Sequence, residues 1–290
     1  MAKLPNWRRL AVSALRAVGL DVAQLSSGAL LVSRPAKVER HKLGPGAALT
    51  VLPDAASGRW FEIEKRLAAF QSQQHVAELL SLYGVNCVVD VGANRGQYGH
   101  RLRRTGFQGH IVSFEPVAET FAELRDAAAR DPRWTAYPYA LGREDTSAPM
   151  NVVPGTLSSL LAPTEFGSAR YARLREPTRQ QVPVRRLDGI LDEVLAGVPS
   201  PRPFLKLDTQ GYDLEAFAGL GDRSRDFVAM QSEVAVVEIY AGMPRMPEAL
   251  AVYEVAGFEI TGLFPVSREA RTGRVLEFDC VMARPGARAG

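Results

Sequence analysis

The stretch CVVDVGANRGQ, from Cys87 to Gln97, contains the strongest structural signal in the sequence. An apolar, β-branched run with one acid inside it, Asp90, stops at Gly92, and a second glycine follows at Gly96. This pattern predicts a buried strand that ends in a glycine turn and continues into a helix. Because glycine has no Cβ, the backbone of the turn can lie close to a ligand. In a doubly wound sheet such a ligand binds at the carboxyl ends of the strands.

The next predicted strand indicates which kind of ligand binds. The segment HIVSFEP, residues 110–116, carries Glu115 about twenty-five residues beyond Asp90, close to the spacing at which an acid meets ribose hydroxyls. Asn94 occupies the place of the second glycine in the dinucleotide fingerprint G-x-G-x-x-G, which argues against a pyrophosphate. S-adenosylmethionine (SAM) has no phosphate, and Asp90 could hold its ammonium group. We therefore predict SAM as the cofactor, with an NAD(P)-dependent Rossmann oxidoreductase as the alternative.

Composition limits the class of protein. The chain has 290 residues, of which 46% are hydrophobic and 23% charged, as in one large globular domain with an appended segment. Its two cysteines lie far apart in apolar runs, which predicts buried thiols in a reducing compartment. The four histidines show no ligand spacing, so no metal site is predicted. A net charge of +3 is modest for a nucleic-acid partner. With no apolar run long enough for a membrane span and no convincing signal peptide, we expect a cytoplasmic protein.

The predicted domain organisation has three parts: an N-terminal helical and loop extension over 1–59, a catalytic domain over 60–284, and a disordered tail over 285–290. Residues 4–20 predict an amphipathic basic helix. We expect this helix to pack at the edge of the domain, and weak peripheral contact with an anionic membrane is the alternative.

The segment 143–186 is rich in proline, serine and arginine and has little periodicity. A stretch of this length between strands is usually functional or mobile. Two interpretations stay open. It is either a solvated surface insertion, or a lid whose bases Arg170, Arg173 and Arg175 bind an anionic group of the acceptor.

A second informative stretch is FLKLDTQGYDLEAFAGLG, residues 204–221. It predicts a strand next to the first one, with Asp208 at its tip, followed by a glycine turn and a helix. Lys206 lies inside the apolar strand, where a charge is costly unless it is paired. Lys206 either forms a structural salt bridge with an acid such as Glu238, or orients an acceptor hydroxyl. Glu238 is expected at the end of a strand over 229–240.

These motifs together resemble the FkbM family of SAM-dependent methyltransferases, over roughly residues 76–284. The resemblance rests on VVDVGANRGQ, FEP, VPVRRLDGIL, FLKLDTQGYDLEAFAG and the closing EFDCVMAR. It implies an α/β fold, the doubly wound seven-stranded Class I methyltransferase (Rossmann-like) sheet, mostly parallel with an antiparallel C-terminal strand pair. It also implies methyl transfer to hydroxyls of sugars on glycolipids or polysaccharides, or of polyketide-like acceptors. The residues predicted to bind SAM are Asp90, Gly92, Ala93, Asn94, Gly96, Gln97, Glu115 and Pro116.

The chain departs from the family pattern at one position that affects the predicted chemistry. Many members carry glutamate where this chain has Gln210, so no carboxylate at 210 can be the base. We predict Asp208 as the catalytic base, with Lys206 and Glu238 as orienting groups. A catalytically inactive binding protein on the same fold is a further alternative. The acids retained at the predicted crevice favour the enzyme.

Overall fold

A computed structural model describes residues 6–24, 30–33, 39–44, 47–51 and 60–288, and the chain divides into two compact units, 1–64 and 65–290. Among the described residues before Trp60, the first unit holds one helix and two antiparallel strand pairs, where the sequence predicted a basic helix and a loop. These elements are α1 (Asn6–Ala17), β1 (Asp21–Gln24) with β2 (Leu30–Ser33), and β3 (Glu39–Gly44) with β4 (Ala47–Val51).

A seven-stranded sheet forms the centre of the second unit. Its strands, in chain order, are β5 (Cys87–Val91), β6 (His110–Phe114), β7 (Trp134–Tyr137), β11 (Pro203–Leu207), β12 (Ala229–Ala235), β13 (Glu259–Arg268) and β14 (Val275–Ala283). Their spatial order is β13-β14-β12-β11-β5-β6-β7, and only the pairs made by β14 are antiparallel. The predicted fold class and the predicted neighbourhood of β11 and β5 are confirmed.

Helices connect these strands. They are α2 (Trp60–Leu82), α3 (Gln97–Arg104), α4 (Ala118–Ala128), α5 (Glu165–Arg170), α6 (Leu191–Val194), α7 (Asp213–Ala218) and α8 (Met246–Val255). Adjacent residues of β5 belong to different apolar clusters: Val88 packs in one, while Val89 and Val91 pack in the other. Since strand side chains alternate between the faces of a sheet, β5 is covered on both sides. This double burial explains its continuous apolar run.

The structure differs from the sequence-based expectation after β7. The sequence over 134–141 predicts one strand, but β8 (Ala140–Leu141) joins a second sheet, in the order β8-β10-β9. The other strands of this sheet, β9 (Thr146–Val152) and β10 (Thr178–Arg185), lie in the segment that appeared irregular in sequence. The alternation over residues 182–187 predicts an edge strand, and this prediction is wrong, because β10 lies at the centre of the second sheet. Pro183 is tolerated there because β8 pairs only with Val184 and Arg185.

The strand expected over 229–240 is shorter than predicted. β12 ends at Ala235, where its pairing with β14 stops, and the chain then bends. Near the other end of β14, the Arg284 guanidinium donates hydrogen bonds to the carbonyls of Ser224, Phe227 and Ala256. Of the tail predicted to be disordered, 285–288 are described, and the Ala287 carbonyl accepts a hydrogen bond from Arg202. Residues 289 and 290 lie outside the described residues. No helix in the described ranges has the length and hydropathy needed to cross a membrane.

Candidate active site

A cavity of about 430 Å³ opens at the carboxyl ends of β5, β6 and β11. Six of the eight residues predicted to bind SAM line it: Gly92, Ala93, Asn94, Gln97, Glu115 and Pro116. The other two predicted residues, Asp90 and Gly96, are not part of its wall. A cavity of this size at the strand ends of a doubly wound sheet is typical of a small-molecule or cofactor site.

The glycine turn after β5 must pack tightly against neighbouring elements as well as leave room for a ligand. Gly92 has φ 77°, and a Cβ there would lie 2.0 Å from the backbone oxygen of Asp208. Gly96 has φ 82°, and a Cβ there would lie 3.0 Å from the Trp134 ring. The tips of β5 and β11 are therefore in direct contact, and a side chain at Gly92 would push them apart.

Glu115 is held rigidly at the tip of β6. Its Oε2 accepts the Asn94 backbone N–H at 2.9 Å, and its Oε1 accepts the Val117 backbone N–H at 2.9 Å. Burial raises the pKa of Glu115 to about 7, although these two hydrogen bonds oppose the shift. The carboxylate lies on the cavity wall with both oxygens fixed, where the two ribose hydroxyls of an adenosyl group could donate to it.

Asn94 connects the glycine turn to the loop after β9. Its Nδ2 donates to the Gly155 carbonyl at 2.9 Å, and its Oδ1 accepts from the Arg95 N–H and Gln97 Nε2, each at 3.0 Å. Asn94 itself has φ 50°, a left-handed conformation that asparagine tolerates better than most residues. The residue that argued against a dinucleotide therefore anchors the turn through its side chain.

A row of polar side chains lies across the centre of the main sheet. Ser113, Asp90, Lys206 and Gln231 occupy matching positions on β6, β5, β11 and β12. The Lys206 ammonium lies 3.3 Å from Asp90 Oδ1 and 3.2 Å from Asp208 Oδ2. It also lies 5.3 Å from the centre of the Tyr98 ring, whose hydroxyl donates to Gln231. Lys206 is thus paired, as its burial requires, but its partners are Asp90 and Asp208.

The two acids next to Lys206 differ in environment. Asp90 is fully buried, and burial raises its pKa, with Lys206 opposing the shift. It lies behind Lys206 and is not part of the cavity wall, and its contact with the cofactor ammonium stays a prediction. Asp208 is 38% exposed and lines the cavity. Burial acts to raise the pKa of Asp208, but Lys206 and a hydrogen bond from Gln210 leave it lowered.

Further carboxylates lie beyond Asp208. Gln210 Nε2 donates to both Asp208 Oδ1, at 2.9 Å, and Glu233 Oε2, at 3.1 Å. Burial, and then the charges of Glu277 and Asp208, raise the pKa of Glu233 well above its usual range. Burial likewise raises the pKa of Glu277 to about 7, and the Ser267 hydroxyl donates to it at 2.9 Å. Asp208, Glu233 and Glu277 all line the cavity, and we call them the carboxylate end.

Glu233 and Glu277 were not among the site residues predicted from the sequence. The available signal was an acid inside an apolar strand, the same signal that identified Asp90. Glu238, which was predicted instead, is exposed and lies outside the cavity wall because β12 ends before it. Its backbone carbonyl accepts a hydrogen bond from Thr164.

The arginines of the segment 143–186 do not converge on the cavity. Arg173 lines it, whereas the Arg170 guanidinium lies 5.0 Å from the centre of the Tyr171 ring and Arg175 donates to the Ser168 carbonyl. Within the described part of the chain, His, Cys, Asp and Glu side chains form no group of three or more that could hold a metal ion. Catalysis without a metal stays a prediction.

Comparison with known proteins identifies the family. The model of the methyltransferase FkbM domain matches residues 90–260, more than half of the chain. The chain belongs to the FkbM methyltransferase family. It is a SAM-dependent methyltransferase, and SAM is its cofactor. The cavity suits this cofactor, since a fixed carboxylate at Glu115 and a glycine turn at Gly92 lie side by side on its wall. The predicted cofactor is confirmed, and the oxidoreductase alternative is set aside.

Individual relatives are more distant. Methyltransferase 1 of Beauveria bassiana (strain ARSEF 2860) is 28% identical over 192 residues, covering 60% of this chain and 72% of the relative. Among solved structures, magnesium protoporphyrin IX methyltransferase from Synechocystis PCC 6803, with bound SAM, is 12% identical with a TM-score of 0.43, covering 80% of this chain and 94% of that chain. Fibrillarin from Aeropyrum pernix, also with SAM, is 11% identical with a TM-score of 0.40, covering 91% and 94%.

Proposed function

We propose that this FkbM methyltransferase methylates a hydroxyl of a sugar, on a glycolipid or polysaccharide, or of a polyketide-like acceptor. The observation that carries the proposal is the carboxylate end of the cavity, which offers an ionised acid beside two further acids. Hydroxyl-rich acceptors need such hydrogen-bond acceptors, and an alcohol nucleophile must lose its proton. The Asn-Pro-Pro-type motif of amino-group methylation is absent after β11, where the sequence reads DTQG.

Asp208 is the proposed proton acceptor. Bound SAM supplies a methyl group made electrophilic by its sulfonium. The chain must place the acceptor oxygen in line with that methyl group and receive its proton. Among the three acids of the carboxylate end, Asp208 has the lowered pKa, so it is ionised at neutral pH. Since an alcohol is a weak acid, Asp208 takes the proton late, as the new bond to oxygen forms.

Two neighbours position Asp208. Lys206 fixes one carboxylate oxygen and Gln210 fixes the other, at 3.2 Å and 2.9 Å. Gln210 is an amide, so it can donate to Asp208 and Glu233 at once, which a glutamate at the same place could not do when ionised. The orienting role predicted for Glu238 is better filled by Glu233, because Glu233 reaches the cavity.

The acceptor can be sought by comparing cells with and without the gene. We expect mass spectrometry to reveal a glycolipid, polysaccharide or polyketide-like product that lacks one methyl group in the deletion strain. The purified enzyme and SAM should restore that methyl group on oxygen, and Asp208→Asn should restore it at least about a hundredfold more slowly. Methylation on nitrogen, or identical products in both strains, would contradict the proposal. The inactive-protein alternative predicts no restoration by the wild-type enzyme.

The N-terminal helix α1 has a separate proposed role. It carries Arg8, Arg9 and Arg16, and its Leu10 is exposed. The exposure of Leu10 favours the membrane alternative over packing at the domain edge: we propose that the protein is cytoplasmic and that α1 makes weak peripheral contact with anionic membranes, where a lipid-linked acceptor would be found. Co-sedimentation with phosphatidylglycerol vesicles should be reduced by Leu10→Ser. Equal sedimentation with neutral phosphatidylcholine vesicles would contradict this role.

A further inference from the structure

We propose that Arg101 binds the carboxylate of the methionyl part of SAM and makes the enzyme selective for the intact amino acid. The proposal rests on SAM being the cofactor and is independent of the acceptor. It concerns a residue outside the glycine turn that no sequence motif singled out.

The position of Arg101 follows from the order of the strands. Glu115 lies at the tip of β6, Gly92 at the tip of β5, and Asp208 at the tip of β11, and these three strands are neighbours in that order. A cofactor whose ribose lies at Glu115 and that passes Gly92 extends its amino-acid part towards β11. The wall there includes Tyr98 and Arg101, one turn apart on α3.

The charges in this part of the cavity match an amino acid. The methionyl group ends in an ammonium and a carboxylate. The acid predicted to hold the ammonium, Asp90, is buried behind Lys206 and is not part of the cavity wall, so the carboxylate is the group whose partner the cavity identifies. A guanidinium is the side chain best suited to a carboxylate, because its fork of N–H donors matches the two oxygens. Arg101 supplies that guanidinium.

Arg101 also has an unused donor. Its Nε is buried, and no acceptor among the described residues lies within hydrogen-bond reach. A buried donor without a partner is destabilising, so a ligand oxygen that reached it would bind favourably. The guanidinium is held 5.4 Å from the centre of the Tyr98 ring, which restricts its freedom before any ligand arrives.

A structural role for Arg101 is the competing explanation. Behind Arg101 lies a second cavity of about 40 Å³, lined in part by Ser72, Gln231 and Asp279. Arg101 could serve only as a countercharge for Asp279 and Asp90, since burial raises the pKa of both and the charge of Arg101 opposes that shift. A structural countercharge would affect every adenosyl ligand equally. If Arg101 instead binds the cofactor carboxylate, its substitution would weaken the binding only of ligands that carry a carboxylate.

Calorimetric titration with SAM and with decarboxylated SAM, which lacks only the carboxylate, separates the two roles. In Arg101→Gln we expect SAM affinity to fall about 10- to 100-fold, while the affinity for decarboxylated SAM changes less than about threefold. Arg104→Gln is the matched control, an exposed arginine on the same helix, and should change neither.

Two results would overturn the proposal. One is an equal loss of affinity for both ligands in Arg101→Gln. The other is a selective loss of SAM in Lys65→Gln but not in Arg101→Gln, since Lys65 also lines the cavity. If Arg101→Gln does not fold, Arg101→Lys keeps the charge and loses the fork. We then expect a several-fold selective loss of SAM, and equal losses for both ligands would again overturn the proposal.

Discussion

The two ends of the cavity are built in different ways. At the cofactor end, the backbone N–H groups of Asn94 and Val117 hold Glu115, and the backbone N–H of Arg95 donates to the Asn94 side chain. At the carboxylate end, Asp208, Glu233 and Glu277 come from three separate parts of the chain, and two of them have raised pKa values. The glycine turn and the tip of the next strand therefore form a rigid ligand cradle. An electrostatic site, in contrast, depends on how distant strands align.

The rigidity of the cofactor end can be broken at Gly92. In Gly92→Ala the new Cβ would meet the Asp208 backbone oxygen at 2.0 Å, so we expect loss of measurable binding of S-adenosylhomocysteine by calorimetry. Gly106→Ala is the control, since Gly106 also has a positive φ, 95°, but no heavy atom lies within 4 Å of its added Cβ. The control should cost only about 1–2 kcal/mol of unfolding free energy and keep binding. Equal effects at the two glycines would contradict the contact.

Substituting the two acids beside Lys206 one at a time distinguishes a structural role from a catalytic role. Asp90→Asn removes a buried charge partner, so we expect the unfolding free energy to fall by about 3 kcal/mol in urea titrations. Asp208→Asn should cost less, because Asp208 is 38% exposed and Lys206 still faces Asp90, but turnover should fall about 10²–10⁴-fold. If Asp208→Asn melts early and regains its activity at low temperature, Asp208 is scaffold and the base lies elsewhere.

The raised pKa of Glu277 at the carboxylate end should make the stability of the protein depend on pH. The pKa of Glu277 is about 7 in the folded protein against 4.5 ordinarily, so the folded state binds its proton more tightly. The contribution of this bound proton to the unfolding free energy is fully present below pH 4.5 and is lost as the pH rises through 7. In Glu277→Gln we expect the decline in unfolding free energy between pH 5 and 8 to shrink by up to roughly 3 kcal/mol.

An exposed glutamate provides the control for that experiment. Glu119→Gln should leave the pH profile of stability unchanged. Cofactor affinity should also be unchanged in Glu277→Gln, since Glu277 lies at the other end of the cavity from Glu115. A profile in Glu277→Gln that matches the wild type would show that Glu277 does not hold its proton into neutral pH.

The smallest expected effect is at Glu115. Glu115→Ala removes the acceptor for the ribose hydroxyls, and binding of S-adenosylhomocysteine should weaken by about 1.5–3 kcal/mol. Glu119→Ala, on the following helix, is the matched control and should bind normally. Unchanged affinity in Glu115→Ala would place the nucleoside elsewhere in the cavity.

The strand, turn and helix around the cofactor end could be predicted because the information for them is contiguous in sequence. The run from Cys87 to Gln97 specified a strand, a turn and a helix, and Glu115 followed at a recognisable distance. The carboxylate end could not be predicted in the same way. Whether Glu233 or Glu238 reaches the cavity depends on where pairing between β12 and β14 stops, and that pairing joins residues more than forty positions apart.

The second sheet could not be predicted from the sequence for a different reason. The segment 143–186 had no clear periodicity, because β9 and β10 are half-exposed strands that carry prolines and arginines. Their order is set by pairing with each other and with the two residues of β8. Only Arg173 of the three arginines assigned to acceptor recognition reaches the cavity. The positions of these arginine side chains depend on tertiary contacts, which cannot be inferred from the composition of the segment.

The polar row across the main sheet also bears on how the sheet assembles. Lys206 on β11 faces Asp90 on β5 only in the native alignment of these strands. A shift of one residue would turn every side chain of one strand to the opposite face and leave a buried ammonium without Asp90. Removing one of the two acids beside a buried ammonium is costly, whereas apolar side chains on both faces of a doubly covered strand discriminate less sharply between alignments. The Lys206–Asp90 pair therefore selects the correct register of the two central strands, which their apolar residues alone would specify only weakly.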